Sequence, residues 1–111
     1  MNRRNHRIAC SLMTGCFWDD TFTIDEIRNI SEGGAFLQTS KPLPPREKVS
    51  LRIFFPKVKE PFDAAGEVVW SARELPEEKT VEVKGIGIRF SFLEEEQRDR
   101  LKQFISENRQ V

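Results

Sequence analysis

Three arginines fall within the first seven residues, in Arg3-Arg4-Asn5-His6-Arg7, and the first ten residues contain no acidic side chain. About twenty residues later comes Asn29-Ile30-Ser31-Glu32-Gly33-Gly34, an Asn-x-Ser-x-x-Gly segment of small donors and acceptors. A guanidinium is a planar fork that binds phosphate, or the O6/N7 edge of guanine, through two bonds at once. It also stacks on the face of a base. Asn and Ser present an amide and a hydroxyl, and glycine lets a ligand or a backbone come close. Each motif has a plain alternative: a solvated basic terminus for the first, a β-turn with ordinary turn chemistry for the second. Taken together they describe a site for an anion that also carries hydrogen-bonding edges, and a nucleotide fits that description.

The composition narrows the function classes. The chain has 111 residues, 38% apolar and 32% charged, which suits one globular domain with its own core. Lys and Arg number 18, as do Asp and Glu, for a net charge of zero. A coat for DNA or RNA normally shows a basic excess, so non-specific nucleic-acid binding is disfavoured. No run approaches the roughly 18 apolar residues of a membrane span. The basic start lacks the apolar stretch and cleavage site of a signal peptide. Cys10 and Cys16 would lie roughly 20 Å apart on one strand, too far for a disulfide, and read as free thiols of a cytoplasmic protein. One histidine and two cysteines make a poor zinc set. That histidine, His6, stands inside the arginine cluster as a spacer. No Ser-His-acid set and no Gly-x-x-x-x-Gly-Lys loop is present, so the chain reads as a non-enzyme with no cofactor and no metal.

The elements that must position the two motifs are mostly strands. Ile8, Cys10, Leu12, Cys16 and Trp18 recur with period two, the mark of a strand with one buried face. Asp19-Asp20 is a turn, 22–30 a second strand, and 35–39 a short third beyond the Gly33-Gly34 break. Lys41-Pro42-Leu43-Pro44-Pro45 cannot pair inside a sheet, because proline lacks the donor. Val49, Leu51, Ile53 and Phe55 alternate as a fourth strand, after which 56–61 form a loop. A fifth strand spans 62–71, an acidic turn 75–79, and a sixth strand 81–92, with Gly85 and Gly87 marking a bulge or tight bend. Phe54 and Phe55 cannot both face inward, so one of them is left for the surface or a partner. Six short strands joined by turns predict an antiparallel barrel or sandwich. At the end the period changes: Ser91-Phe92-Leu93-Glu94 has capping-box spacing, and Leu101, Phe104 and Ile105 form an apolar stripe. This predicts a helix over 94–109, lying on the barrel as a lid.

The pairing of motifs resembles the signature of the PilZ domain, a family of bacterial receptors for the second messenger cyclic di-GMP. The likeness covers essentially the whole chain. Leu43-Pro44-Pro45 looks like the family's Leu-Pro lead-in, Gly66-Glu67-Val68-Val69-Trp70 like its Gly-x-Val-x-Trp strand, and Gly85-Ile86-Gly87-Ile88-Arg89-Phe90 like its Gly-(Val/Ile)-x-Phe strand. The resemblance implies an all-β fold, a six-stranded antiparallel β-barrel capped by a C-terminal α-helix. It implies a flexible arginine arm at 1–7 and a barrel domain with its helix at 8–111.

Residue by residue, Arg3 and Arg7 match the family's two fixed arginines and Arg4 a frequent third; these wrap the ligand. Asn29, Ser31 and Gly34 match the second motif, whose members hold the other guanine. Asn29 stands where aspartate is commoner, and a neutral amide gives up one charge-assisted bond to guanine N1–H and N2–H₂. Trp70 is assigned either to stacking on guanine or to packing in the core.

The resulting expectation is a cytoplasmic bacterial receptor that binds cyclic di-GMP and signals in trans to a protein partner. It has two rivals. One is a PilZ-like adaptor that binds protein and no nucleotide. The other is an oligonucleotide-binding barrel, disfavoured because no aromatic row lies on a basic face.

Overall fold

Side-chain alternation decides which face of each strand turns inward, and the apolar members of each run close a barrel. The computed structural model describes residues 7–72 and 84–108. Six strands precede one helix: β1 (Ile8–Trp18), β2 (Thr21–Ile30), β3 (Gly34–Gln38), β4 (Lys48–Ile53), β5 (Phe62–Ala72), β6 (Gly85–Phe92) and α1 (Glu95–Glu107). All neighbouring pairs are antiparallel, and the order β1-β2-β3-β6-β5-β4 closes on itself. Closure leaves no free edge among the described strands. Expected and observed strands agree to within one or two residues at most ends. The acidic turn at 75–79 and the first residues of the expected sixth strand lie outside the described residues.

Ile8, Leu12 and Cys16 of β1, Ile27 and Ile30 of β2, Leu37 of β3, Leu51 and Ile53 of β4, Phe62 and Val68 of β5, and Ile86 and Ile88 of β6 fill the interior. Phe55 lies just past β4 and is buried, while Phe54 beside it is exposed, as period two requires. The helix covers one end of this core. Leu101 and Ile105 join the buried cluster, and the Phe104 ring sits 4.6 Å from that of Phe55. Arg100 pins the helix to the 56–61 loop by donating to the Glu60 carbonyl at 3.0 Å. Burial of Leu101 alone contributes roughly 2 kcal/mol.

The capping box does not form. Ser91 belongs to β6, the N-cap is Glu94, and that cap makes no side-chain hydrogen bond. Strand β6 runs on to Phe92, and Ser91 is its extra residue between the pairs Gly66–Phe90 and Ala65–Phe92, so Ser91 belongs to the strand and not to the helix start. Glu95 and Glu96 in the first turn favour the positive end of the helix dipole instead.

Cys10 and Cys16 are free thiols. Loss of solvent pushes both up to about 11 from 9.0; at Cys10 the nearby Arg28 partly opposes this and Glu26 adds to it, and at Cys16 Asp25 adds to it. The protonated forms therefore favour the fold below pH 9, and that contribution is lost as pH rises from 9 through 11. A shift of this size lowers the thiolate population about 100-fold. Iodoacetamide should accordingly label the native protein about 100-fold more slowly than the urea-unfolded chain. Equal rates in the two states would show the thiols ionised and open in the native barrel.

Candidate functional site on the outer wall of the barrel

Strict alternation would turn Asn29 inward, because Ile27 is fully buried two residues before it. It faces outward because β2 carries one extra residue against β3: Ile27 pairs with Leu37, but Asn29 already pairs with Phe36. The bulge at Arg28 leaves both Arg28 and Asn29 on the outer surface, the re-aiming that bulges commonly perform. The same device acts on β5, where Val68 pairs with Ile88 and Trp70 with Gly87. Val69 is the extra residue, and Val69 and Trp70 are both exposed. Two bulges thus bring Asn29, Phe36, Gly87 and Trp70 into one row across β2, β3, β6 and β5.

Arg7 stands just before β1, and Ala9, two residues on, pairs with Asn29. Its Nη1 donates to Asn29 Oδ1 at 2.5 Å. The two sequence motifs therefore meet through a direct bond between their described members. Arg3 and Arg4 lie outside the described residues. Around this bond, Arg28 donates to Gln38 Oε1 at 2.9 Å and stands 3.9 Å from Glu26, which accepts a hydrogen bond from Ser11. Farther along the wall, Arg89 pairs with Glu67 at 3.0 Å.

Ser31 faces inward and is buried. Its hydroxyl accepts from the Gly33 N–H at 3.2 Å and lies 3.4 Å from the Gly34 carbonyl, which also accepts from the Ser31 N–H at 2.8 Å. The hydroxyl is thus engaged within the turn, which fixes where Asn29 ends and β3 begins. Gly34 has an ordinary negative φ, so the turn needs no left-handed residue there. The reason for glycine is space: a Cβ at Gly34 would run into the Ile88 carbonyl of β6.

Trp70 is not a core residue. Its indole is 45% exposed and lies parallel to the Phe36 ring, with centroids 5.4 Å apart and planes inclined by 13°. Both rings lie over the β6 glycines. A Cβ on Gly87 would strike the indole, and one on Gly85 would strike Phe36. These glycines were expected to mark a bulge or bend. Their role is to make room for an aromatic shelf, and the bulge belongs to the neighbouring strand. Phe36, Arg28 and Arg89 are the members of this face that the sequence reading did not single out. The one available signal for Phe36 was an aromatic placed across from glycine, a pairing that sheets use to cover a bare backbone.

The arrangement lies on the outer face of the barrel wall. It offers a guanidinium for an anion, an amide for a base edge, and a flat apolar shelf for a ring. No group of three or more His, Cys, Asp or Glu that could hold a metal lies among the described residues. No described helix is long and apolar enough to cross a membrane.

Comparison with known proteins bears on the family and the fold. A family model described as PilZ domain matches residues 1–107. A search of curated protein sequences found no match. Among solved structures, the inhibitor of motility MotI/DgrA of Bacillus subtilis superposes with a TM-score of 0.80 at 15% identity. That match covers 96% of this chain and 51% of the other, so this chain spans about half its length. The PilZ domain with c-di-GMP of YcgR from Escherichia coli superposes at 0.77 with 16% identity, covering 97% of this chain and 92% of that one. The PilZ domain of CeSA from a cellulose-synthesizing bacterium gives 0.65 at 15% identity, with 92% and 96% covered. At such identities the shared property is the fold.

Proposed function

We propose, from the premise that this chain belongs to the PilZ domain family, that it is a receptor for cyclic di-GMP. The observation that carries the reading is the bond from Arg7 to Asn29, which joins the two motifs on one outer face. The YcgR domain, solved with c-di-GMP, supports the choice of ligand. In this reading Arg3, Arg4 and Arg7 take the phosphates and one guanine, and Asn29 meets the edge of the other. Ser31 and Gly34 act by holding the turn and the β3–β6 approach that set Asn29 in place. Trp70, backed by Phe36, supplies a surface against which a guanine can stack.

Chemistry on the ligand is no part of this reading; the domain binds and reports. Asn29 Oδ1 already accepts from Arg7, so an incoming guanine shares or displaces that bond. Exchanging the pair for ligand contacts changes the charge and shape of the β2–β3 face, which a protein partner in the cytoplasm then reads in trans. Each charge-assisted bond is worth about 1.5–3 kcal/mol net.

Isothermal titration tests the ligand. Cyclic di-GMP should bind, while GTP and cyclic AMP bind at least about 100-fold more weakly, since neither presents two guanines bridged by two phosphates. Folded protein that takes up no cyclic di-GMP at high micromolar concentration would move the assignment to the adaptor reading. There the same face would dock a protein without nucleotide.

A further inference from the structure

The outer wall of β1, β2 and the end of β4 carries an apolar surface that neither the core nor the ligand face uses. Met13, Phe17, Phe22, Ile24 and Phe54 are between 42% and 60% exposed. They are neighbours by register: Phe17 pairs with Phe22, Ile24 with Gly15, and the Phe54 N–H donates to the Met13 carbonyl. The Phe17 and Phe22 rings touch, with centroids 4.6 Å apart. At roughly 200 Å² per large side chain, half-exposure leaves about 500 Å² in one patch, high for the surface of a monomer.

Beside the patch runs a trough of about 680 Å³. Its floor is the cross-strand pair Ser50 and Ala65, and its walls include Phe17 and the protruding Phe92. Arg52 and Asp63 lie along it, joined by two hydrogen bonds of 2.8 and 3.1 Å.

We propose that this face is the interface of a symmetric homodimer. A two-fold contact requires one surface to carry both the projecting and the receiving part. Here Phe17 and Phe92 project, and the Ser50–Ala65 floor between them receives. The charges are self-complementary too. Arg52 and Asp63 stand side by side, so a two-fold sets opposite signs within reach, and a chain of zero net charge does not repel its copy. A strongly charged partner finds no matching excess on this face. The area also suits a dimer: about 500 Å² of apolar surface within the roughly 800 Å² per subunit of a standard interface approaches the apolar share of homodimer contacts. The row from Asn29 to Trp70 lies on other parts of the barrel wall and stays open, so the dimer would present two ligand faces. This inference does not depend on the identity of the ligand.

Light scattering coupled to size exclusion, over about 1–100 μM protein, tests it. The mass should approach twice 12.9 kDa as concentration rises. Ile24→Glu and Phe92→Ser alter exposed positions, and circular dichroism should show the barrel retained. Each should raise the dimer dissociation constant about tenfold or more. Val58→Ser, an exposed apolar position on the loop before β5, should leave it unchanged. A mass of 12.9 kDa at the highest concentration would overturn the proposal. So would a dimer that survives Ile24→Glu and Phe92→Ser, since a different face would then hold it.

Discussion

Arg7→Ala is expected to weaken cyclic di-GMP binding by about 30-fold or more, the equivalent of one charge-assisted hydrogen bond of the stronger kind. The fold should hardly notice. Arg7 is exposed, and its described side-chain hydrogen bond is the one to Asn29. Surface changes of this sort stay within about 0.5 kcal/mol, so the melting temperature should shift by less than about 4 °C. The Arg7–Asn29 bond also predicts a specific failure of additivity. Arg7→Ala frees Asn29 Oδ1 for the ligand while removing the guanidinium; Asn29→Ala frees the guanidinium while removing the amide. Because each residue is the other's partner before ligand arrives, the double variant should depart from the sum of the singles by at least about 0.5 kcal/mol. Titration of the two singles and the double measures this directly. If Arg7→Ala melts the barrel, or binds as well as the parent, Arg7 is not a ligand residue and the two motifs do not form one site.

The fold was legible wherever local pattern alone decides. Period two identified the strands, the Pro44-Pro45 break separated the third from the fourth, and the Phe54/Phe55 conflict resolved as alternation demands, with Phe55 in. The helix was legible from Leu101, Phe104 and Ile105, and its start, expected at 94, falls at Glu95, but its cap was not legible. Ser91 has the right spacing for a cap, yet strand β6, held by long-range pairing with β5 on either side of Ser91, runs through it to Phe92. The same limit governs the site. Two motifs announced a candidate face, but a strand read in isolation does not reveal where a partner strand is one residue short. The bulges at Arg28 and Val69 depend on β3 and β6, and they alone turn Asn29 and Trp70 outward. Phe36 enters the face only through those registers. Ser31 shows the converse: a hydroxyl with the chemistry of a ligand contact is engaged in the turn that supports its neighbour.

Gly34→Ala should be the most destabilising of these single changes, and it separates support of the site from contact with the ligand. The added Cβ would overlap the Ile88 carbonyl oxygen and lie 3.1 Å from its carbon and 3.2 Å from the Arg89 Cα. Every obstacle is backbone, so no rotamer change relieves the clash. Strand β3 must move off β6 at the point where Gly34 pairs with Arg89 and the Phe90 N–H donates to the Gly33 carbonyl at 2.8 Å. The same shift opens the turn that the Ser31 N–H closes onto Gly34. Overpacking against a rigid wall with loss of such bonds costs about 3 kcal/mol or more, a fall in melting temperature of about 12 °C or more for a domain of this size. Gly15→Ala is the matched control. Its Cβ would meet side chains and no backbone, the edge of the Phe22 ring at 3.0 Å and the Phe17 ring at 3.8 Å, and both rings are exposed. It should cost less than about 1 kcal/mol. Thermal melts of the two variants, followed by titration at a temperature where both are folded, complete the comparison. A Gly34→Ala protein that melts with the parent but no longer binds would show slack between β3 and β6 and make Gly34 a point of ligand contact. One that melts early, and binds weakly only as it loosens, would make this glycine the hinge pin between the turn and the barrel.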